Sequence, residues 1–134
     1  MIQVGKQLWG LRGLTAVYLL YALIWIPLEG NLRRAVAMGV VTTAVLLMHG
    51  WQRYGAERVL SWGWWLGKTA VFGLLFGAGS SLLTLAAMAV KTGLHAHGPE
   101  FTPVEIIWVW QQLPLWATAG LLAGLGAGLV IGNQ

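Results

Sequence analysis

Three histidines are the first residues to weigh for chemistry, because the chain has no cysteine and its four acidic residues are all glutamates. Neutral imidazole is a common ligand for metals and haem. His49 stands in Leu46-Leu47-Met48-His49-Gly50-Trp51, at the end of an apolar stretch, where a ring nitrogen could ligate the magnesium of a chlorin pigment. His95 and His97 alternate as they would along an extended segment, with Glu100 close by, and such a set could hold a surface metal ion. An ordinary interfacial histidine and a solvated polar loop are the stronger readings of these positions. His49 also lies one membrane thickness from the other two, so they cannot ligate a single haem together. No cofactor is expected; a chlorin pigment or a lipid is the alternative.

Gly63-Trp64-Trp65-Leu66-Gly67-Lys68-Thr69 has the outline of a phosphate loop but not its substance. Three residues separate the glycines where the loop needs four, no strand precedes them, and tryptophans fill the place of the cradle. Lys68 is better placed to snorkel to a membrane surface. No nucleophile and base stand at a spacing that makes a site, so catalysis is not expected. No apolar stretch carries a charge near its centre, where proton relays and ion paths keep theirs. The first stretch has no carboxylate before Glu29, unlike small four-helix drug exporters. The polar side chains at depth reduce to Thr42, Thr43, Ser80, Ser81, Thr84 and Thr118, which can satisfy backbone or neighbouring helices with no transport role.

The strongest pattern concerns contact. Gly120, Gly124, Gly128 and Gly132 recur every four residues, and Thr69, Gly73, Gly77 and Ser81 repeat that spacing. Small residues at this interval let two helix backbones approach closely. The two stripes read either as the packing faces of two helices within the chain or as a surface for another protein.

These residues need elements to hold them, and composition dictates the elements. The chain has 134 residues, enough for one domain; 57% are hydrophobic and 9% charged. Mean hydropathy is +0.70. Soluble domains carry about 25% charged residues, so this chain cannot cover a water-facing surface and belongs in a bilayer. Backbone in lipid must satisfy its own hydrogen bonds, so the apolar stretches are helices. Four stand out, at 8–28, 35–51, 66–90 and 114–132. About 20 residues cross a bilayer core, so the fold expected is an all-α bundle of four transmembrane helices in one membrane domain, residues 1–134. The first stretch ends in Ile26-Pro27-Leu28-Glu29 with no small-residue cleavage site, so it is not read as a signal peptide.

The connections carry further signals. Pro27 closes the first helix and Glu29-Gly30-Asn31 reads as a tight turn, making a hairpin of helices one and two. Residues 53–65 mix charges with aromatic residues and are expected to form a short interfacial helix or loop. Trp51, Trp62, Trp64, Trp65, Trp108 and Trp110 are expected as anchors at headgroup depth. Thr102-Pro103-Val104-Glu105 has the residues of a capping box with proline at the first helical position. From there to Gly132 one helix would measure about 45 Å, more than the bilayer core, so Pro114 is expected to divide an interfacial helix, 103–112, from the last span.

Charge sets orientation. Lys6, Arg12, Arg53, Arg58 and Lys68 fall on one side, and Arg33, Arg34 and Lys91 on the other. The positive-inside bias then puts both termini on the cytoplasmic or equivalent side of a plasma or thylakoid-type membrane. The net charge of +4 is too scattered for a nucleic-acid surface. The expectation is a small non-catalytic membrane protein, an accessory or structural subunit of a larger energy-converting complex, photosynthetic or respiratory. The last step rests on where such chains commonly occur. The alternatives are a small self-associating channel or carrier, and a pigment- or lipid-binding module that uses the nine tryptophans.

Overall fold

A computed structural model describes residues 2–3, 10–28, 30–54, 59–94 and 98–133. The elements in chain order are β1 (Ile2–Gln3), α1 (Leu11–Trp25), α2 (Leu32–Tyr54), β2 (Val59–Leu60), α3 (Trp62–Leu94) and α4 (Pro103–Gly132). The two strands are short and pair antiparallel, with Ile2 opposite Leu60. The other elements among the described residues are helices.

Local chemistry sets the helix ends. Gly10 precedes α1 with φ +90, a left-handed conformation suited to glycine. The helix ends at Trp25, two residues before Pro27, which has no N–H to continue the ladder. The start of α4 is the capping box read from the sequence. The Thr102 hydroxyl accepts from the Glu105 N–H at 3.3 Å, and the Glu105 carboxylate accepts from the Thr102 N–H at 2.8 Å. At the start of α2, Asn31 accepts from the Arg34 N–H at 2.8 Å.

Each helix runs antiparallel to the one before it. Tyr18 meets Thr42 and Thr15 meets His49 between α1 and α2. Gly39 lies against Thr84 and Gly79 against Thr43 between α2 and α3. Gly73 lies against Gly124 and Gly77 against Trp116 between α3 and α4. One end of the molecule, here called the terminal end, therefore gathers the start of α1, the end of α2, the start of α3 and the end of α4. The opposite or loop end gathers the other four helix ends.

The helix α3 is central, packed on α4 along one side and on α2 along another, while α1 touches α2 more lightly. The bundle is a wedge. At the loop end all four helices converge on one apolar cluster of Trp25, Ala35, Met38, Met88 and Val109, closed by Phe101 from the α3–α4 connection. Towards the terminal end α2 and α4 separate and leave a groove over α3.

Three helices, α2, α3 and α4, are long and apolar enough to cross a membrane. α1 is apolar but has 15 residues, or about 22 Å of rise against a core of about 30 Å. Two expectations are corrected. No interfacial helix occupies 53–65: among the described residues α2 continues to Tyr54, Val59–Leu60 is strand, and Trp62 already belongs to α3. No separate helix occupies 103–112 either, because α4 is continuous from Pro103 to Gly132 with Pro114 inside it. α3 grips α4 on both sides of that proline. Ser81 donates to the Val109 carbonyl at 2.8 Å, and Gly77 sits against the backbone of Trp116 and Ala117. The two halves are thereby held along one partner.

Single cysteines test this arrangement in membranes. Ser61→Cys and Asn133→Cys should react with an impermeant thiol reagent from one face, and Pro99→Cys from the other. Labelling of Ser61→Cys and Pro99→Cys from one face would show that α3 does not cross.

Candidate functional site

Small residues make the tightest contact in the molecule. A side chain at Gly73 would run into the Gly120 carbonyl and, at 2.9 Å, the Gly124 Cα. One at Gly120 would meet the Gly73 carbonyl carbon and the Gly77 nitrogen, both at 3.0 Å. One at Gly124 would meet the Thr69 backbone and, at 3.1 Å, the Gly73 Cα. Gly128 lies against Thr69 and Leu66. The two stripes thus face each other inside the chain. Ser81, at the loop-end limit of the α3 stripe, bonds across to α4, and Gly132 is the last residue of α4. Gly126, off the stripe, has open space beside it.

Aromatic residues hold the terminal end of this interface. Trp65 is buried and donates its indole N–H to the Gly128 carbonyl at 2.9 Å. Trp51 of α2 meets Trp65 edge-on at 6.1 Å between centroids, and Phe72 at 5.4 Å. The expected anchor role of Trp65 is corrected: its ring joins helices inside the protein. Trp51 is half-buried in the same cluster, whereas Trp62, Trp64, Trp108 and Trp110 present exposed rings. Above the cluster is the α2–α4 groove, about 420 Å³, with Met48 and Trp51 on one wall, Ala123 and Ile131 on the other, and Phe72 and Phe76 between.

The loop end holds the residue that the sequence reading missed. Lys91, counted there only as a charge for orientation, is fully buried. Its ammonium donates to the carbonyls of Trp25 at 3.2 Å, Ile26 at 2.8 Å, and Leu28. It pairs with the Glu100 carboxylate at 3.3 Å and lies 4.7 Å from the centre of the Trp25 ring. The Trp25 and Ile26 carbonyls stand at the end of α1, at the negative end of its dipole; that of Trp25 also accepts from the Leu28 N–H at 3.2 Å, and that of Leu28 lies just beyond the helix. The lysine of α3 therefore caps α1 across the bundle. Gly30 makes room for the pair: a side chain there would meet Lys91 Cε at 2.9 Å and the Phe101 ring at 3.2 Å. A signal existed in the spacing, since Gly77, Ser81, Thr84, Met88 and Lys91 form one buried stripe along α3.

The remaining candidates separate. His49 lies on α1's side of α2, with its Nε2 2.8 Å from the Thr15 hydroxyl. His95 and His97 lie outside the described residues, and no group of three metal-binding side chains occurs among the described ones. Five of the hydroxyls are used inside the bundle, and the sixth, that of Thr118, is exposed on α4. Thr42, Thr43, Ser80, Thr84 and Thr118 each donate to the carbonyl four residues back, and Ser81 donates to α4.

Comparison with protein-family models, with curated proteins and with solved structures finds no match to this chain.

The geometry predicts two mutational outcomes. Gly124→Leu should lower resistance to unfolding in a denaturing detergent titration by about 1–3 kcal/mol, the usual penalty of overpacking, while Gly126→Leu should leave it unchanged. Equal effects would mean that the stripe is not the contact surface. Lys91→Met should cost about 3–5 kcal/mol, because Glu100 and the α1 carbonyls would lose their buried counter-charge. Hydrogen exchange should quicken first around residues 18–28 if α1 is released; uniform quickening would show that the lysine has no special hold on it.

Proposed function

We propose that the chain is a non-catalytic integral-membrane protein, with α1 crossing alongside the three longer helices and both termini on the cytoplasmic or equivalent side. It serves as an accessory subunit that a larger membrane complex packs against, with an energy-converting complex as the class of assembly. The observation that carries this reading is the internal use of polarity. Five of the six hydroxyls, those of Thr42, Thr43, Ser80, Ser81 and Thr84, are bonded within the bundle, and the buried ammonium is held by carbonyls and a carboxylate. A carrier or channel needs such groups turned towards a path. Large apolar side chains instead face outwards along α1 and α4, among them Leu20, Leu23, Leu115, Leu122 and Val130. Another membrane protein or lipid can cover them at no cost in unsatisfied polar groups.

The test is purification from native membrane in a mild detergent, followed by native mass spectrometry. A heterologous partner should be retained at fixed stoichiometry. A homo-oligomer with nothing else attached, conducting ions or solutes when placed in liposomes, would replace the subunit reading with the self-associating channel.

A further inference from the structure

The terminal end carries a second groove, on the face where α2 meets the start of α3, with a volume of about 500 Å³. Leu47, Gly50 and Tyr54 form its α2 side, and Gly67, Lys68 and Val71 its α3 side. The volume is in the range of small-molecule sites. The floor is low because two glycines lie there: an added Cβ at Gly50 or at Gly67 would meet nothing within 4 Å. On α3 the lining runs from Trp64 to Leu75, about 17 Å along the helix axis, so the groove is long in the direction of a lipid tail.

Its polar groups are all at one end. Tyr54 and Trp64 are strongly exposed there, with the amphipathic rings that favour headgroup depth. Lys68 lies on the second turn of α3. Side chains of a helix lean towards its N-terminus, so this lysine leans towards the same end and can snorkel to the surface. Arg53, outside the lining but beside Tyr54, brings a second cation to this end, its guanidinium 5.6 Å from the centre of the Tyr54 ring. No carboxylate pairs with either cation among the described residues.

The two ends of the molecule differ in the same sense. Among the described residues the terminal end has Arg12, Arg53 and Lys68 and no acid, whereas the loop end sets Glu100 and Glu105 against Arg33, Arg34 and Lys91. A groove with an apolar floor and two cations at its membrane-surface end, neither paired with a carboxylate among the described residues, is complementary to one kind of occupant. A phosphate would lie at the cations, and an acyl chain would extend from it towards the bilayer centre.

We propose that the groove between the end of α2 and the start of α3 holds one anionic phospholipid, with its phosphate at Lys68 and Arg53 and an acyl chain over Gly50 and Gly67. The site does not depend on the subunit reading, because every residue in it belongs to this chain. Basic side chains between membrane helices select anionic headgroups, and one such charge near the surface is worth about a fivefold preference.

The protein, purified and depleted of lipid, is placed in nanodiscs containing equal amounts of phosphatidylglycerol and phosphatidylcholine with matched chains. It is then released into the gas phase for native mass spectrometry. Wild type should keep one phosphatidylglycerol, enriched about fivefold or more over phosphatidylcholine. Lys68→Gln should lower that preference about fivefold, and Lys68→Arg should restore it. Gly67→Leu should expel both lipids, while Gly126→Leu, which also fills open space but on α4, should not. Circular dichroism identifies a misfolded variant; if Gly67→Leu misfolds, the two Lys68 variants still decide. Equal retention of the two lipids by wild type overturns the proposal, as does an unchanged preference in Lys68→Gln. A polypeptide that co-purifies with wild type and is released by Gly67→Leu would assign the groove to a protein partner instead.

Discussion

The structure depends on one close approach, that of the α3 and α4 backbones. Lipid is as apolar as leucine, so a bilayer gives two helices little hydrophobic reason to associate, and contact must come from packing. Glycine supplies it here by letting main chain touch main chain: Gly73 against Gly120 and Gly124, and Gly77 against Trp116. This contact positions the Trp65 indole on the Gly128 carbonyl and the Ser81 hydroxyl on the Val109 carbonyl. It also accounts for the continuity of α4. A proline inside a helix removes one hydrogen bond and crowds the preceding turn, but α3 engages α4 both before and after Pro114. A bend there would have to break contacts on one side of it.

The other two interfaces follow a different rule. Between α2 and α3, Gly39 admits Thr84 and Gly79 admits Thr43, so threonines fill the spaces that glycines leave. Their hydroxyls donate back to their own helices; Thr43 lays its methyl against Gly79, and Thr84 its hydroxyl oxygen and backbone against Gly39. Between α1 and α2 contact is lighter, and α1 is fastened at its end by the ammonium of Lys91. A buried charge is costly unless it is paired and hydrogen-bonded. This one has three carbonyls, a carboxylate and an aromatic ring around it. The wedge shape results: the loop end is closed by charge, carbonyls and the Trp25–Met88 cluster, and the terminal end is left open around the aromatic residues.

What could be read from the sequence was what spacing alone decides. The capping box at Thr102–Glu105, the stop at Pro27 and the four-residue repeats of small residues are local patterns, and each has a direct counterpart in the structure. The features missed are those decided by residues far away in the chain. Lys91 reads as a terminal charge until the end of α1, 63 to 66 residues away, is brought against it. Pro114 reads as a break until α3 lies along both sides of it. Trp65 reads as part of a membrane belt because composition cannot separate a ring facing lipid from one facing the next helix. Its neighbour Trp64 is in fact strongly exposed.

The same division separates the polar groups of the interior from the cations of the surface. Helix interfaces in a membrane favour polar groups that are satisfied at home, and the buried hydroxyls and the buried lysine find their partners within the chain. Cations at the membrane surface face no such demand, because water and headgroups solvate them wherever they point. Lys68 and Arg53 therefore keep their charge available in a way that Lys91 cannot, although Lys68 and Lys91 occupy the same helix. The same residue type closes the fold where α3 ends among carbonyls and stays open to an outside anion where α3 begins among tryptophans.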